Sequence, residues 1–276
     1  MPFLHLLILA LVQGITEFLP ISSSGHLILT WAALGESQTP AGDQLVIDIA
    51  VHVGTLGAVC LYFWRDVGSM TGGFFRLLGG QRSPGGRLAV AVLIGTLPVV
   101  AVGFLAKDFI TDTLRSVEVI AWTTLIFGLL LYAADKIGLT VRRLEHLTLV
   151  QAFIVGLAQV LALIPGTSRS GITMTAARVF GFERAEAARF SLLLSIPAIL
   201  GAGTLAGLDL LKLGKAQLTA DALLAMGLSF LSALLAIALM MAWLKRASFT
   251  PFVIYRILLS GLLFWLVYGG GLPLLQ

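Results

Sequence analysis

The sequence has few of the residues that keep a soluble domain in water and few of those that staple a secreted one together. Only 12% of its 276 residues are charged, where a soluble domain carries about a quarter. One cysteine, Cys60, stands in an apolar run, which excludes an intrachain disulfide and leaves core packing as its role. No stretch alternates with period two, so strands of a barrel are excluded as well. The apolar start, Pro2 to Leu19, has no basic residue ahead of it, and Gln13 and Glu17 interrupt it. It therefore reads as part of the mature protein rather than as a signal peptide. The formal charge of +4 resides mainly in loops; in such a chain it reports orientation and does not suggest nucleic acid.

What the sequence does have is apolar length. Hydrophobic residues make up 58% of it, and the mean hydropathy is +0.99. Long apolar runs cover Val90–Ala106, Val117–Ala134, Leu147–Ser168 and Ala222–Leu244. A bilayer core of about 30 Å takes roughly 20 such residues per helix, and in lipid the backbone must satisfy its own polar groups. An all-α polytopic membrane protein follows, forming one integral-membrane domain over residues 1–276.

Loop charges set the topology. Gly35–Gln44 is acidic, whereas Arg65–Arg87, Asp135–His146, Arg178–Arg189 and Lys245–Arg246 are basic and belong in the cytoplasm. The apolar stretch Leu147–Val179 has a basic loop at each end, and Pro165-Gly166-Thr167-Ser168-Arg169-Ser170-Gly171 breaks it in the middle. A re-entrant hairpin satisfies both facts. The N-terminal stretch has the same form, broken by Pro20-Ile21-Ser22-Ser23-Ser24-Gly25. Two re-entrant helical hairpins and about six full spans are expected, the spans near Leu45–Trp64, Leu88–Ala106, Val117–Ala134, Phe190–Leu208, Ala222–Leu244 and Phe252–Tyr268. Gln13 with Ser22 to Gly25 and Gln159 with Ser168 to Gly171 share one offset. The expectation is an inverted-topology repeat, about 1–137 and about 147–276, with its site where the hairpin tips meet near the midplane.

The tips carry the chemistry. Gln13 and Glu17 lie four apart on one helix face, and a carboxylate at that depth costs roughly 2.5–3.5 kcal/mol to insert, which makes it a functional candidate. Ser22, Ser23, Ser24 and His26 follow within ten residues, joining a nucleophile, a base and an acid or metal ligand in one cluster. The second tip sets Arg169 among Gly166, Thr167, Ser168, Ser170 and Gly171. A guanidinium binds phosphate bidentately, and N–H groups at a helix start add partial positive charge. An anion site facing a nucleophile cluster points to phosphoryl chemistry. The bland alternative is an ion pair between Glu17 and Arg169 for structure alone. Asp48 and His52, at i and i+4, read equally as metal ligands or as a helix-face hydrogen bond.

Gln13-x-x-x-Glu17-Phe18-Leu19-Pro20-Ile21-Ser22-Ser23-Ser24-Gly25-His26 and Pro165 to Gly171 resemble the two signature motifs of the undecaprenyl-diphosphate phosphatases, the BacA/UppP bacitracin-resistance family. Val51-His52-Val53-Gly54-Thr55 and Phe182–Ile199 are similar to that family too, so the likeness covers essentially the whole chain. The resemblance implies a bacterial inner-membrane enzyme, often a homodimer, acting on C55 isoprenyl diphosphate with a divalent cation, Mg²⁺ or Ca²⁺. It makes Glu17 the acidic residue and metal ligand, with Gln13 where Glu is also common. Ser23 becomes the candidate nucleophile with His26 as its base or acid, although the imidazole itself stands as an alternative nucleophile. Ser22 and Ser24 assist, and Arg169 clamps the diphosphate with Gly166, Thr167, Ser168 and Ser170. The expected site opens to the outer face, where released lipid carrier is recycled for cell-wall synthesis. The rival class is a secondary transporter or flippase for the carrier lipid, which also uses inverted repeats and broken helices. A non-catalytic scaffold leaves Glu17 and Arg169 without a reason.

Overall fold

A chain whose apolar runs are long and unbroken has to close its backbone hydrogen bonds within each segment, and every regular element among the described residues is helical. The computed structural model describes residues 1–35, 39–106, 113–114, 116–213 and 216–269; the side chains at 41, 202–203 and 205–217 lie outside that description. In order, α1 (Phe3–Thr16) and α2 (Ser23–Ala33) form a first hairpin, followed by α3 (Ala41–Tyr62), α4 (Trp64–Leu78), α5 (Pro84–Leu105) and α6 (Val117–Ile137). A 3₁₀ turn at Leu144–His146 leads to a second hairpin of α7 (Leu149–Val160) and α8 (Arg169–Val179), and then α9 (Arg184–Leu213), α10 (Ala216–Leu244) and α11 (Thr250–Tyr268).

Among the described residues five helices are long and apolar enough to cross a membrane: Gly42–Tyr62 of α3, α5, α6, Leu218–Leu244 of α10, and α11. Leu231, Leu235 and Leu239 on α10, and Ile254, Leu258 and Leu262 on α11, are exposed large apolar residues at helical spacing. Stripes of that size are unstable against water and suited to lipid tails. The expected span Phe190–Leu208 falls inside α9, where part of the side chains are outside the described set. The expected Arg65–Arg87 loop is corrected by α4, a 15-residue amphipathic helix with Trp64, Phe75 and Leu78 exposed beside Arg65 and Arg76. Its 15 residues, with Arg65, Asp66 and Arg76 among them, are too few and too charged for a span but give a helix one apolar face.

The packing crosses the two halves of the chain. Helix α1 lies on α10, α7 lies on α5, and α6 lies on α11. Glycine permits the closest approaches: a Cβ at Gly14 would stand 2.8 Å from Ser229 O, and one at Gly156 would stand 2.3 Å from Gly95 O. The main core joins Phe18 of the first turn to Leu131, Met174, Phe190, Leu192 and Phe249, so the first turn is packed against elements from the other end of the chain.

The basic loops converge at one end. The buried Arg178 donates to Asp135 Oδ1 at 3.2 Å and to the carbonyls of Asp135, Gly138, Leu139 and Phe182. Arg184 reaches the same Asp135 oxygen at 2.6 Å, and Arg189 pairs with Asp66. A carboxylate shared by two guanidiniums satisfies a charge that would otherwise be costly to bury, and it holds the far end of α8 while its near end carries the tip.

Candidate active site

Both hairpins break at a serine forced into an unusual backbone. Ser22 has φ 74° and Ser168 has φ 71°, and they are the only non-glycine residues with positive φ among the described residues. Such a conformation costs about 1–3 kcal/mol and persists where the surroundings impose it. Each serine stands immediately before a helix start, Ser23 of α2 and Arg169 of α8. The two turns touch: Ser170 Oγ donates to Leu19 O at 2.8 Å, and a Cβ on Gly25 would lie 4.0 Å from Gly166 Cα. Gly166, at φ 89°, packs on α6, where Thr123 Oγ1 donates to Pro165 O at 2.6 Å.

Glu17 lies at the junction. Its side chain is only 4% exposed, and both carboxylate oxygens are occupied. Oε1 takes Arg169 Nη2 at 2.5 Å across the tips. Oε2 accepts from Ser23 Oγ at 2.6 Å and from Gln13 Nε2 at 2.9 Å. His52 Nε2 stands 3.5 Å from the same oxygen. The carboxylate and the hydroxyl of the first hairpin thus meet the guanidinium of the second within one hydrogen-bonded cluster. The Arg169 side chain keeps 19% of its surface open, so its remaining N–H donors can reach a ligand anion.

A family model described as "Bacitracin resistance protein BacA" matches residues 6–262 of the chain. The chain belongs to the BacA family. Its similar relatives include "Undecaprenyl-diphosphatase 1" of Rhodospirillum rubrum, 53% identical over 273 residues that make up 98% of this chain and 97% of the relative. The "Undecaprenyl-diphosphatase" of Jannaschia sp. is 53% identical over 272 residues, covering 98% of this chain and all of the relative. That of Ruegeria pomeroyi is 51% identical over 273 residues with the same coverage. With membership in the BacA family and five membrane-length helices, the chain is a multi-pass membrane protein.

Within this BacA-family site not every expected residue meets the others. The structure does not bring His26 to Ser23. Its Nδ1 donates to Ser22 O at 2.6 Å, since a carbonyl can only accept, which leaves Nε2 to face Tyr255 Oη at 2.5 Å. The two rings stack with centroids 5.6 Å apart. The reason is helical register: Ser23 opens α2 and leans back toward Glu17, while His26 projects toward α11. Ser22 and Ser24 pair at 3.4 Å, and Ser24 is exposed. On the second tip Ser168 caps α8 by accepting from Gly171 N at 3.1 Å, and it also pairs with Ser170 at 3.1 Å. The Thr167 hydroxyl is buried without a partner among the described residues.

Three contributors came from elsewhere. His52, weighed with Asp48 as a helix-face pair, indeed donates Nδ1 to Asp48 O at 2.6 Å, and this aims its Nε2 at Glu17. Asp48 itself accepts from Trp31 Nε1 at 2.8 Å, tying α3 to α2. Tyr255 and Arg256 of α11 lie inside the expected span Phe252–Tyr268, where the sequence motifs assign them no role. Arg256 is fully buried and donates to the carbonyls of Thr123, Thr124, Pro20, Gly166 and Thr167 at 2.9–3.3 Å. The signal that could have found it is a lone charge in an apolar helix, the same one that marked Glu17 and Arg169.

The fit of a divalent cation can be judged from the oxygens present. Gln13 is wholly buried, its Nε2 is spent on Glu17, and its Oε1 has no partner among the described residues. Turning the amide over would set Oε1 against the carboxylate, so the orientation is fixed by charge. An unspent amide oxygen next to a carboxylate suits a hard cation. Among the described residues no group of three or more His, Cys, Asp or Glu forms a cage, and Glu17 and Gln13 Oε1 are the donors the first tip offers a cation.

Proposed function

We propose that this chain hydrolyses undecaprenyl diphosphate to the monophosphate and inorganic phosphate at the paired hairpin tips, with the C55 tail left in lipid. The observation that carries the reading is the contact of Glu17 with both Ser23 and Arg169: nucleophile, base and anion clamp assembled at one buried junction. The names of relatives about half identical over nearly the whole chain support the substrate.

The reaction follows from these contacts. The diphosphate draws Arg169 toward its oxygens, with Thr167, Ser168 and Ser170 hydroxyls and the N–H groups at the start of α8 alongside. Glu17 thereby loses its strongest partner and becomes a better base for the Ser23 proton it already accepts. Ser23 Oγ attacks the terminal phosphorus, the bond from that phosphorus to the bridging oxygen breaks, and the isoprenyl monophosphate leaves. Glu17 holds the proton taken from Ser23. Glu17 then gives that proton to the departing monophosphate and, a base again, takes one from the water that attacks the phosphoserine and returns it to the Ser23 oxygen as phosphate leaves. His26 and Tyr255 serve at the mouth of the site, orienting the Ser22 peptide and exchanging protons with solvent. A divalent cation, Mg²⁺ or Ca²⁺, would be held by Glu17 and Gln13 Oε1 and would supply positive charge to the diphosphate oxygens.

The same reading includes the topology. The hairpins α1–α2 and α7–α8 are re-entrant, α9 is the sixth span, and residues 1–137 and 147–276 form an inverted repeat. The convergence of Arg178, Arg184 and Arg189 at one end supports a cytoplasmic placement of that end in the bacterial inner membrane. The first hairpin then opens outward, where spent carrier lipid is recovered for peptidoglycan synthesis. The homodimer implied by the family resemblance belongs to this reading, and cross-linking in native membranes tests it. The decisive assay is phosphate release from C55 diphosphate by detergent-purified, lipid-supplied protein, with and without chelator. Release that chelation suppresses supports the enzyme and its cation. A folded protein that releases none refutes the hydrolase.

A further inference from the structure

Arg256 is a buried cation with an unusual set of partners. Its side chain passes against Gly128 of α6, where an added Cβ would lie 3.2 Å from Arg256 Cβ. Beyond that point Nε donates to Thr124 O at 2.9 Å. Nη1 reaches Pro20 O at 3.2 Å and Thr167 O at 3.1 Å. Nη2 reaches Thr123 O at 3.3 Å, Gly166 O at 3.0 Å and Thr167 O at 3.1 Å. All of these are backbone carbonyls, and no carboxylate pairs with Arg256 among the described residues. A guanidinium placed only to cancel a buried charge would sit beside one, as Arg178 sits beside Asp135.

The carbonyls belong to both tips, and their direction matters. In a trans peptide the C=O and the next N–H point opposite ways. Holding Thr167 O toward Arg256 therefore turns the Ser168 N–H away from it. Ser168 is then left at φ 71°, and its Oγ caps Gly171 N. The N–H groups of Ser168, Arg169 and Ser170 carry none of the described hydrogen bonds. Pro20 O, held by the same guanidinium, keeps the Glu17–Ser22 turn in register with the second tip. There is also little room to reach this state another way: a Cβ on Gly171 would stand 3.0 Å from Arg256 Nη1.

We propose that Arg256 is a positioning residue: by gripping carbonyls of both turns it aims the N–H groups at the start of α8 at the transferred phosphoryl group and sets Ser23 opposite them. Its charge adds to the field. Glu17 and Arg169 cancel, so the uncompensated Arg256 leaves the junction positive before a diphosphate enters. The proposal rests on the diphosphatase reading for its substrate, although not for its geometry.

The test uses the full-length purified protein with Arg256→Lys and Arg256→Gln. Lysine keeps the charge but has no planar fork to hold carbonyls of both turns. For farnesyl diphosphate, both variants are expected to lose about 100-fold in kcat, as when an oxyanion donor is removed. KM should move by less than about threefold in Arg256→Lys, which keeps the charge, and further in Arg256→Gln. Both variants should melt below the wild type, because buried carbonyls lose their donor, and kcat is compared on the monodisperse folded fraction. Values of kcat per folded molecule within about threefold of wild type in both variants would overturn the proposal and leave Arg256 a packing residue. If neither variant folds, hydrogen exchange on the wild type decides. Methylenediphosphonate, which resists hydrolysis, should slow exchange of the Ser168, Arg169 and Ser170 amides, and unchanged exchange in its presence would overturn the proposal. A wild type that releases no phosphate yet shows this protection would retain the anion site and lose only the hydrolase reading.

Discussion

The two hairpin turns have nearly the same backbone and opposite chemistry. Each breaks at a serine of φ near 70°, each pairs that serine with the serine two residues on, and each stands on a helix bearing a fully buried glutamine, Gln13 or Gln159. At the residue after the break the first turn has Ser23 and the second has Arg169. The first turn also carries Glu17, whose oxygens receive both of them. In the proposed reaction two turns of like backbone thus divide the work, the nucleophile and its base coming from one and the anion clamp from the other. On that proposal neither turn is complete alone, and activity depends on the docking of the tips rather than on either motif.

Breaking the pair across the tips should have the largest effect. Glu17→Leu or Arg169→Leu alone leaves a buried charge without a partner, at about 3–5 kcal/mol of stability, and should lower kcat/KM by about 10³-fold or more. The double variant should regain most of the stability and none of the activity, as read by melting curves beside phosphate release. Recovery of activity with stability would mean that the pair is structural only. Next comes the contrast within the first tip. Ser23→Ala should lower kcat by about 10³-fold, and His26→Ala, whose ring hydrogen-bonds to neither Ser23 nor Glu17, by about tenfold less. Equal losses in single-turnover assays would return His26 to the centre of the reaction.

Smaller effects separate the turns further. Ser168 caps its helix through Gly171 N, whereas Ser22 makes no such bond. Ser168→Ala should therefore destabilise the protein by about 1 kcal/mol more than Ser22→Ala, measured by denaturation in one detergent. Least in size is the glutamine pair. Gln13→Glu adds a second carboxylate beside Glu17 and should lower the Mg²⁺ concentration giving half-maximal release. Gln159 donates to Gly95 O at 3.4 Å and hydrogen-bonds to no carboxylate among the described residues; Gln159→Glu should lose stability and leave the Mg²⁺ dependence unchanged.

Much of this was legible in the residues. Breaker residues within apolar runs announced both turns, and two lone charges in lipid-length segments, Glu17 and Arg169, had to find each other. What stayed hidden depended on helix azimuth and on distant partners. Whether His26 or Glu17 takes the Ser23 proton turns on which way the first residues of α2 face, and composition is silent on that. Tyr255 lies 229 residues from His26, and Arg256 lies 236 from Pro20, so no local pattern linked them to the tips. The charges of Arg65, Asp66 and Arg76 make α4 look like a basic loop in sequence, and its helical period shows only in the fold. The i, i+4 spacing of Asp48 and His52 admits a metal site or a helix-face hydrogen bond, and only the path of α3 behind Glu17 brings His52 Nε2 to the carboxylate.

The most direct test is to trap the covalent intermediate. Farnesyl diphosphate labelled in its terminal phosphate would be mixed with the purified protein, quenched within one turnover and digested, and the labelled peptide sequenced by mass spectrometry. The account predicts phosphate on Ser23, absent in Ser23→Ala and in Arg169→Ala. Label on His26, or turnover with no labelled peptide at any quench time, would contradict it.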